Sequence, residues 1–401
     1  MNTLFPMHNR VQAYAWGSHT ALAAIRGEPG PTADPEAEMW MGAHPLAPSR
    51  LADGGGERPL SELVAEHPLA LLGATVTKEF GALPFLMKLL AAREPLSLQA
   101  HPSAEQARSG FAREESVGLS LSAPSRSYKD PHHKPELIAA LSPFSALVGF
   151  RDTRATARLF ASLGANRLAT IATTLAECPA DQALRALFEL VTNSAPTARQ
   201  DLATETLACC RAPRERLAEF SRELAWGVRI GDLYPGDPGI VLALALNLVV
   251  LEPGQALYLP AGNLHAYLEG TGVEIMASSD NVLRGGLTPK HVDAAELSRV
   301  LDFHAGPAAL VTTERSGVEI HYRTPAREFA LSRFDLDGRT ATARHVTGPE
   351  IVVATSGALE LTRGAETLPL VAGTSVFIAA EGGGYALSGR GTAFRARVND
   401  A

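Results

Sequence analysis

Three short segments hold residue types that together can bind a metal ion. Pro95-Leu-Ser-Leu-Gln-Ala-His-Pro102 sets Gln99 and His101 two residues apart. On a strand, an amide oxygen and an imidazole at that spacing project from one face. Taken alone, the pair fits a polar surface strand equally well. Tyr128-Lys-Asp-Pro-His-His-Lys-Pro-Glu136 is flanked and interrupted by prolines that favour extension. An extended chain would put His132, Lys134 and Glu136 on one alternate set, with the apolar run Leu137 to Leu141 fixing Glu136 at a pocket wall. A solvated, charged turn before a strand is the competing reading. In Leu259-Pro-Ala-Gly-Asn-Leu-His-Ala-Tyr267, Pro-x-Gly-Asn turns the chain and returns a strand that carries His265. A lone histidine in such a strand is more often a hydrogen-bonded core residue than a ligand. Convergence shifts the balance, because Gln99, His101, Glu136 and His265 supply one carboxylate and neutral N/O donors, a set suited to zinc or a related transition metal.

The elements around these segments read as short alternating runs separated by Gly, Pro and Asp turns, which points to sandwiches or barrels rather than a nucleotide-binding α/β sheet. Leu359 and Leu361 alternate with Glu360 and Thr362 before Arg363-Gly364, a hairpin signal. From Thr153 to about Trp226 the composition shifts to Ala, Leu, Arg and Glu. Leu184, Leu187, Phe188 and Val191 form one helical stripe, and Leu217, Phe220 and Leu224 another, with Pro213 placed to start a helix. An earlier helix is expected from Leu60 to Leu72, limited by Pro68. The segment from Gly254, GQALYLPAGNLHAYLEG, aligns without a gap to GTSVFIAAEGGGYALSG from Gly373. That register pairs Leu257 with Val376, Leu259 with Ile378 and His265 with Gly384, so a repeated barrel would have lost a metal ligand in its second copy. Alternation shared by any two half-buried strand pairs is the alternative.

Composition narrows the class. With 401 residues, 46% apolar and 20% charged, the chain can bury a large core spread over two or three domains. A formal charge of -7 with interleaved signs disfavours nucleic acid and anionic membrane as partners. The odd cysteine set Cys178, Cys209 and Cys210 does not read as a secreted disulfide framework, and a reducing cytoplasm fits best. Residues Met1 to Arg10 lack the apolar core of a signal peptide, and no run approaches the ~18 apolar residues of a membrane span. Ile240 to Leu251, the longest candidate, contains Asn247 and reads as a buried core segment. Oligomeric state is not legible.

Longer motifs carry a family resemblance. Tyr-Ala-Trp-Gly-Ser18, Glu38-Met-Trp-Met-Gly-Ala-His-Pro45, Pro84-Phe-Leu-Met-Lys88, Leu98-Gln-Ala-His-Pro102, Tyr128 to Glu136, Tyr234-Pro-Gly-Asp237 and the long run Val273 to Lys290 follow one another along the chain. In this the sequence resembles the type I mannose-6-phosphate isomerases (phosphomannose isomerases) of the cupin superfamily. The resemblance implies a mainly β fold of two cupin-type jelly-roll barrels plus an α-helical domain. The expected division is a catalytic barrel over 1–151 and 232–305, a helical insertion over 152–231 and a metal-free C-terminal barrel over 306–401. It implies one Zn2+ per chain on Gln99, His101, Glu136 and His265, with Arg284 and Lys134 as the catalytic arginine and lysine. His132 stands where many relatives are expected to carry Asn, a departure that affects the surroundings of the site more than its ligands.

The implied reaction interconverts mannose 6-phosphate and fructose 6-phosphate, by ring opening and movement of a proton between C2 and C1. Zinc would polarise a sugar oxygen, and Arg284 would sit against the developing enediolate. Lys134 is the family-matched proton carrier, with Glu274, Asp280 and a zinc-bound water as competitors. For the phosphate, Lys88, Ser97, Lys134, Arg284 and Lys290 are the matched candidates, and Trp16, Glu38 and His44 would complete the pocket wall, Trp16 equally fitting plain core packing. Two rivals stand beside the isomerase. A cupin oxygenase could use His101, Glu136 and His265 alone. A non-catalytic sugar-phosphate sensor would keep the pocket without turnover, although no helix-turn-helix or basic recognition helix accompanies it.

Overall fold

A computed structural model describes residues 3–52, 56–212, 215–338, 342–344 and 346–399. Among them the strands gather into two antiparallel sheets, one of ten and one of eleven strands, with a block of helices spanning 153–245 between successive strands of the first. Pro213, the expected helix start, lies outside the described residues. Glu215–Phe220 forms a 3-10 turn and the α-helix begins at Ser221. The stripe Leu184, Leu187, Phe188 and Val191 is fully packed inside that block.

Strand His265–Ala277 organises the ten-stranded sheet. Its first residues pair with Phe144–Phe150, and beyond Gly270 it pairs with Phe85–Ala92 on one side and Glu136–Ala140 on the other. The change of partner needs a sharp turn of the strand: Gly270 has φ 135°, and a Cβ there would lie 2.7 Å from the Phe144 backbone. Phe85–Ala92 is buried on both faces, as a strand covered on both sides must be. Lys88 is therefore a charge inside a continuous apolar run.

The observed pairing departs from the expected division in two places. Strand Leu4–His8 lies outside the ten-stranded sheet and pairs with Ser375–Ile378 and Arg50–Ala52 of the other sheet, where Phe5 packs against Phe377. The helices run on past residue 231: Ser221–Leu233 is followed by Gly239–Ala245, a helix with every residue buried, which passes directly into strand Leu246–Leu251. Ile240 to Leu251 is thus a helix joined to a strand. The expected helix from Leu60 is split by Pro68 into Leu60–Glu66 and Pro68–Phe80, with the proline in the first turn of the second, where its missing N–H costs nothing. The Arg363-Gly364 signal is a hairpin, with Gly364 at φ 61° joining Glu350–Arg363 to Glu366–Val371.

The internal repeat has a structural counterpart. Ala256–Leu259 and Ser375–Ile378 open the two compared segments, and His265–Ala277 and Tyr385–Arg397 continue them. Leu259 pairs with Glu136 in one sheet, and Ile378 pairs with Glu350 in the other. At Glu350, however, the neighbour is a guanidinium: Arg395 lies 3.4 Å from Glu350 and 2.6 Å from Glu319, all three buried, and Tyr385 donates to Glu350 at 2.8 Å. A covalently attached cation thus sits between the two carboxylates and offsets part of their charge. Arg395→Met would leave them buried without it and is expected to lower stability by about 3–5 kcal/mol. A urea titration measures this, with metal content unchanged from wild type.

No helix among the described residues is long and apolar enough to cross a membrane, and the three cysteines are free thiols.

Candidate metal centre

Strand Leu98–Ala100 lies between the start of His265–Ala277 and strand Leu283–Gly286. Gln99 is the direct cross-strand neighbour of His265 on one side and of Arg284 on the other. His101 follows two residues later, and Glu136 enters at the head of its strand, set extended by Pro135 and paired with Leu259 and Met276. These placements bring one ligand atom each of His101, Glu136 and His265 within 4.8 Å of one another, all buried. His101 Nε2 is 3.4 Å from Glu136 Oε1, and His265 Nε2 is 3.6 Å from Oε2.

The other face of each imidazole fixes its tautomer. His101 Nδ1 lies 2.7 Å from the Asn281 carbonyl and His265 Nδ1 3.0 Å from the Asn263 carbonyl. A carbonyl only accepts, so Nδ1 carries the proton and the Nε2 lone pair points inward. Burial, working against Glu136, pushes His101 down to about 4, which leaves its ring neutral near pH 7. His101 Nε2, His265 Nε2 and Glu136 Oε2 are buried and without a hydrogen-bond partner. Three convergent orphan acceptors are costly in a bare protein and fit a cation with imidazole and carboxylate preference, as zinc has.

Around this trio stand the other residues singled out from the sequence. Lys134 Nζ is 3.0 Å from Glu136 Oε1, but His132 is exposed and outside the pocket. The chain bends at 129–131, ahead of His132, so strict alternation holds only for Lys134 and Glu136. Lys88 is gripped by Glu274 at 2.8 Å and Glu38 at 3.5 Å, all buried, and Glu38 accepts from Trp40 Nε1 at 2.6 Å. Its charge is already matched, so it does not present a free cation to phosphate. Burial pushes the Glu274 carboxyl up although Lys88 pulls it down. Asp280 lies 3.1 Å from buried His44; its carboxyl sits below the usual value because that partner and nearby cations outweigh burial. Trp16 is half-buried and stacked on Tyr14, ring centroids 5.7 Å apart. Ser97 is half-buried ahead of Gln99.

Arg284 differs from Lys88. It is half-buried with no carboxylate partner among the described residues, and burial alone lowers its pKa. Lys290, lowered by burial and by the charge of Arg284, is its cationic neighbour. Half-buried Arg284, across from Gln99, and exposed Lys290, which feels its charge, have no carboxylate ion-pair partner among the described residues and form an anion-attracting edge.

Two residues were missed in the sequence. Tyr267, two positions beyond His265, is buried, and desolvation with the nearby Glu274 and Glu136 carboxylates holds its phenol protonated. Asn281, fully buried, accepts from the Lys129 and Asp130 N–H groups and donates to the Asp130 and His132 carbonyls, tying the 129–132 bend to the loop whose carbonyl holds His101. Its signal was an Asn inside a polar Ser-Ser-Asp-Asn run, indistinguishable by type from a solvated turn. Asn281→Ala is expected to weaken zinc binding about 10–100-fold, measured by competition with a chromogenic chelator.

The family model for the catalytic domain of type I phosphomannose isomerase matches residues 4–153. The mannose-6-phosphate isomerase of Escherichia coli (strain K12) is 38% identical over 400 residues, covering 96% of each chain. That of Salmonella typhimurium is 39% identical over 388 residues, again 96% of each. A zinc-bound crystal structure of mannose 6-phosphate isomerase superposes with a TM-score of 0.90 at 35% identity, over 99% of this chain and 100% of that one.

Proposed function

The chain belongs to the type I phosphomannose isomerases, and on that premise we infer that it interconverts mannose 6-phosphate and fructose 6-phosphate with one zinc ion as cofactor. The observation that carries the reading is the set of three orphaned donors on His101, Glu136 and His265, with Gln99 beside them as the fourth ligand. When bound, zinc supplies Lewis-acid polarisation of a sugar oxygen at a net positive site, since Glu136 is the single anionic ligand.

The protein's own groups carry the rest. Arg284 and Lys290, with the Ser97 hydroxyl as a further donor, attract the phosphate end, and the Arg284 guanidinium faces the negative charge that grows as C2 loses its proton. The same proton equivalent is returned at C1. Lys134 and Glu274 are the carriers the pocket offers: burial makes the Glu274 carboxyl a stronger base than an ordinary one, whereas Asp280 is held ionised. Lys88 holds Glu274 and Glu38 in place. Trp16 and Glu38 line the sugar side.

We read the ten-stranded sheet as a cupin-type jelly-roll barrel, the eleven-stranded sheet as its metal-free counterpart and the helices of 153–245 as an insertion into the first. A reducing cytoplasm suits the free cysteines.

A coupled assay tests the reading. The purified protein is expected to form fructose 6-phosphate, to lose activity on chelation and to regain it with zinc, with or without oxygen. Zinc-loaded protein that binds mannose 6-phosphate without forming product would instead be a sensor. Dependence on oxygen would identify an oxygenase.

A further inference from the structure

The corner Tyr234-Pro-Gly-Asp-Pro-Gly239, between the last two helices of the helical block, touches both segments that feed the anion-attracting edge. Tyr234 Oη donates to the Pro95 carbonyl at 2.9 Å, just ahead of Ser97 and Gln99. The Asp237 carboxylate takes one N–H from each side of a seam: Gly239 N–H at 2.8 Å on Oδ1 and Thr288 N–H at 3.2 Å on Oδ2. Thr288 lies between Arg284 and Lys290, and its hydroxyl accepts the Lys290 N–H at 3.1 Å. Beside the seam the two backbones are in direct contact, since a Cβ on Gly286 would lie 3.0 Å from the Gly239 Cα.

Leu287, between these contacts, has φ 56° and is the non-glycine residue with positive φ among the described residues. Its side chain is buried in the core shared with the helical block. A branched residue stays in that region only where its surroundings over-determine it, and such strain gathers at functional loops. Here the surroundings are the apolar core on one side and Asp237 on the other.

We propose that Asp237 is a positioning residue: its carboxylate clamps the segment that leads out of strand Leu283–Gly286 to Lys290 onto the helical corner and so sets Arg284 and Lys290 for the substrate's phosphate. This rests on the reading of those two cations as the anion edge. Charge and position predict opposite signs. If Asp237 acted through its charge, removing it would strengthen anion binding near two cations. As a clamp, its loss weakens that binding, because an Asn offers one acceptor oxygen where Asp offers two.

Inorganic phosphate, titrated calorimetrically into the zinc-loaded full chain, separates the two. Asp237→Asn is expected to raise the phosphate Kd several-fold and Asp237→Ala about tenfold or more, as a displaced binding group would, with zinc content unchanged by elemental analysis. Leu287→Gly keeps the carboxylate but frees the loop to leave the left-handed region, and it should weaken phosphate in the same direction. Unchanged or tighter phosphate binding in folded, zinc-loaded Asp237→Asn or Leu287→Gly overturns the clamp. So does a wild-type chain that binds no phosphate. A wild-type chain that binds phosphate but does not isomerise mannose 6-phosphate would remove the assigned reaction while the clamp stands on the titration.

Discussion

His265→Ala is expected to purify without zinc and to lose isomerase turnover by about a thousandfold or more, the scale of several kcal/mol of lost charge stabilisation. The imidazole is buried, its Nδ1 is committed to the Asn263 carbonyl and its Nε2 points at Glu136 with no partner of its own. Alanine removes a neutral donor from a set with one carboxylate, and no neighbouring side chain on that strand offers another: Ala266 follows, and the Tyr267 phenol is held protonated. Since losing a residue that merely orients a ligand already costs about 10–100-fold in affinity, losing a ligand costs more. Elemental analysis of the purified variant is decisive. Full zinc occupancy would take His265 out of the ligand set.

Arg284→Ala should behave differently, retaining zinc while kcat falls about 10²–10³-fold, the usual consequence of deleting a group aimed at developing charge. Arg284 pairs across the strands with Gln99 and is not among His101, Glu136 and His265, whose ligand atoms converge, so its loss leaves those three in place. The half-buried guanidinium has no carboxylate to neutralise it, and its charge is available to substrate. Arg284→Lys is expected to recover only part of the loss, because an ammonium lacks the planar fork that holds two oxygens at once. Near-normal steady-state kinetics in the alanine variant, with zinc measured on the same sample, would sink the catalytic assignment.

The parts of the arrangement that were legible in the sequence depend on local geometry. Gln99 and His101 two residues apart, and Glu136 ahead of an apolar run, follow from strand periodicity, and the alternation in the segments from Gly254 and Gly373 corresponds to strands in both. What escaped depends on residues far apart in the chain. Lys88 looked like a free cation because its partner Glu274 is 186 positions away. His132 looked aligned with Lys134 until Asn281, 149 positions on, bent the chain beneath it. The helical block overran its expected end for a related reason: Gly239–Ala245 is apolar on every side, so its composition reads equally as a strand, and only burial against the neighbouring helices decides.

The placement of Leu4–His8 has a consequence for biosynthesis. Leu4 pairs with Ile378 and Met7 with Ser375, so strand Leu4–His8 is synthesised well before the neighbour it pairs with. At roughly 5–20 residues per second, the interval is on the order of 20–70 s. Throughout it, Arg50–Ala52 can cover Met7 and His8 on one edge, but the edge that ends against Ser375–Ile378 stays open and can pair with whatever strand is at hand. Nascent chains crowded on one message are thus exposed to one another through this strand, and a chaperone that shields it would raise the yield of folded protein without touching the metal centre.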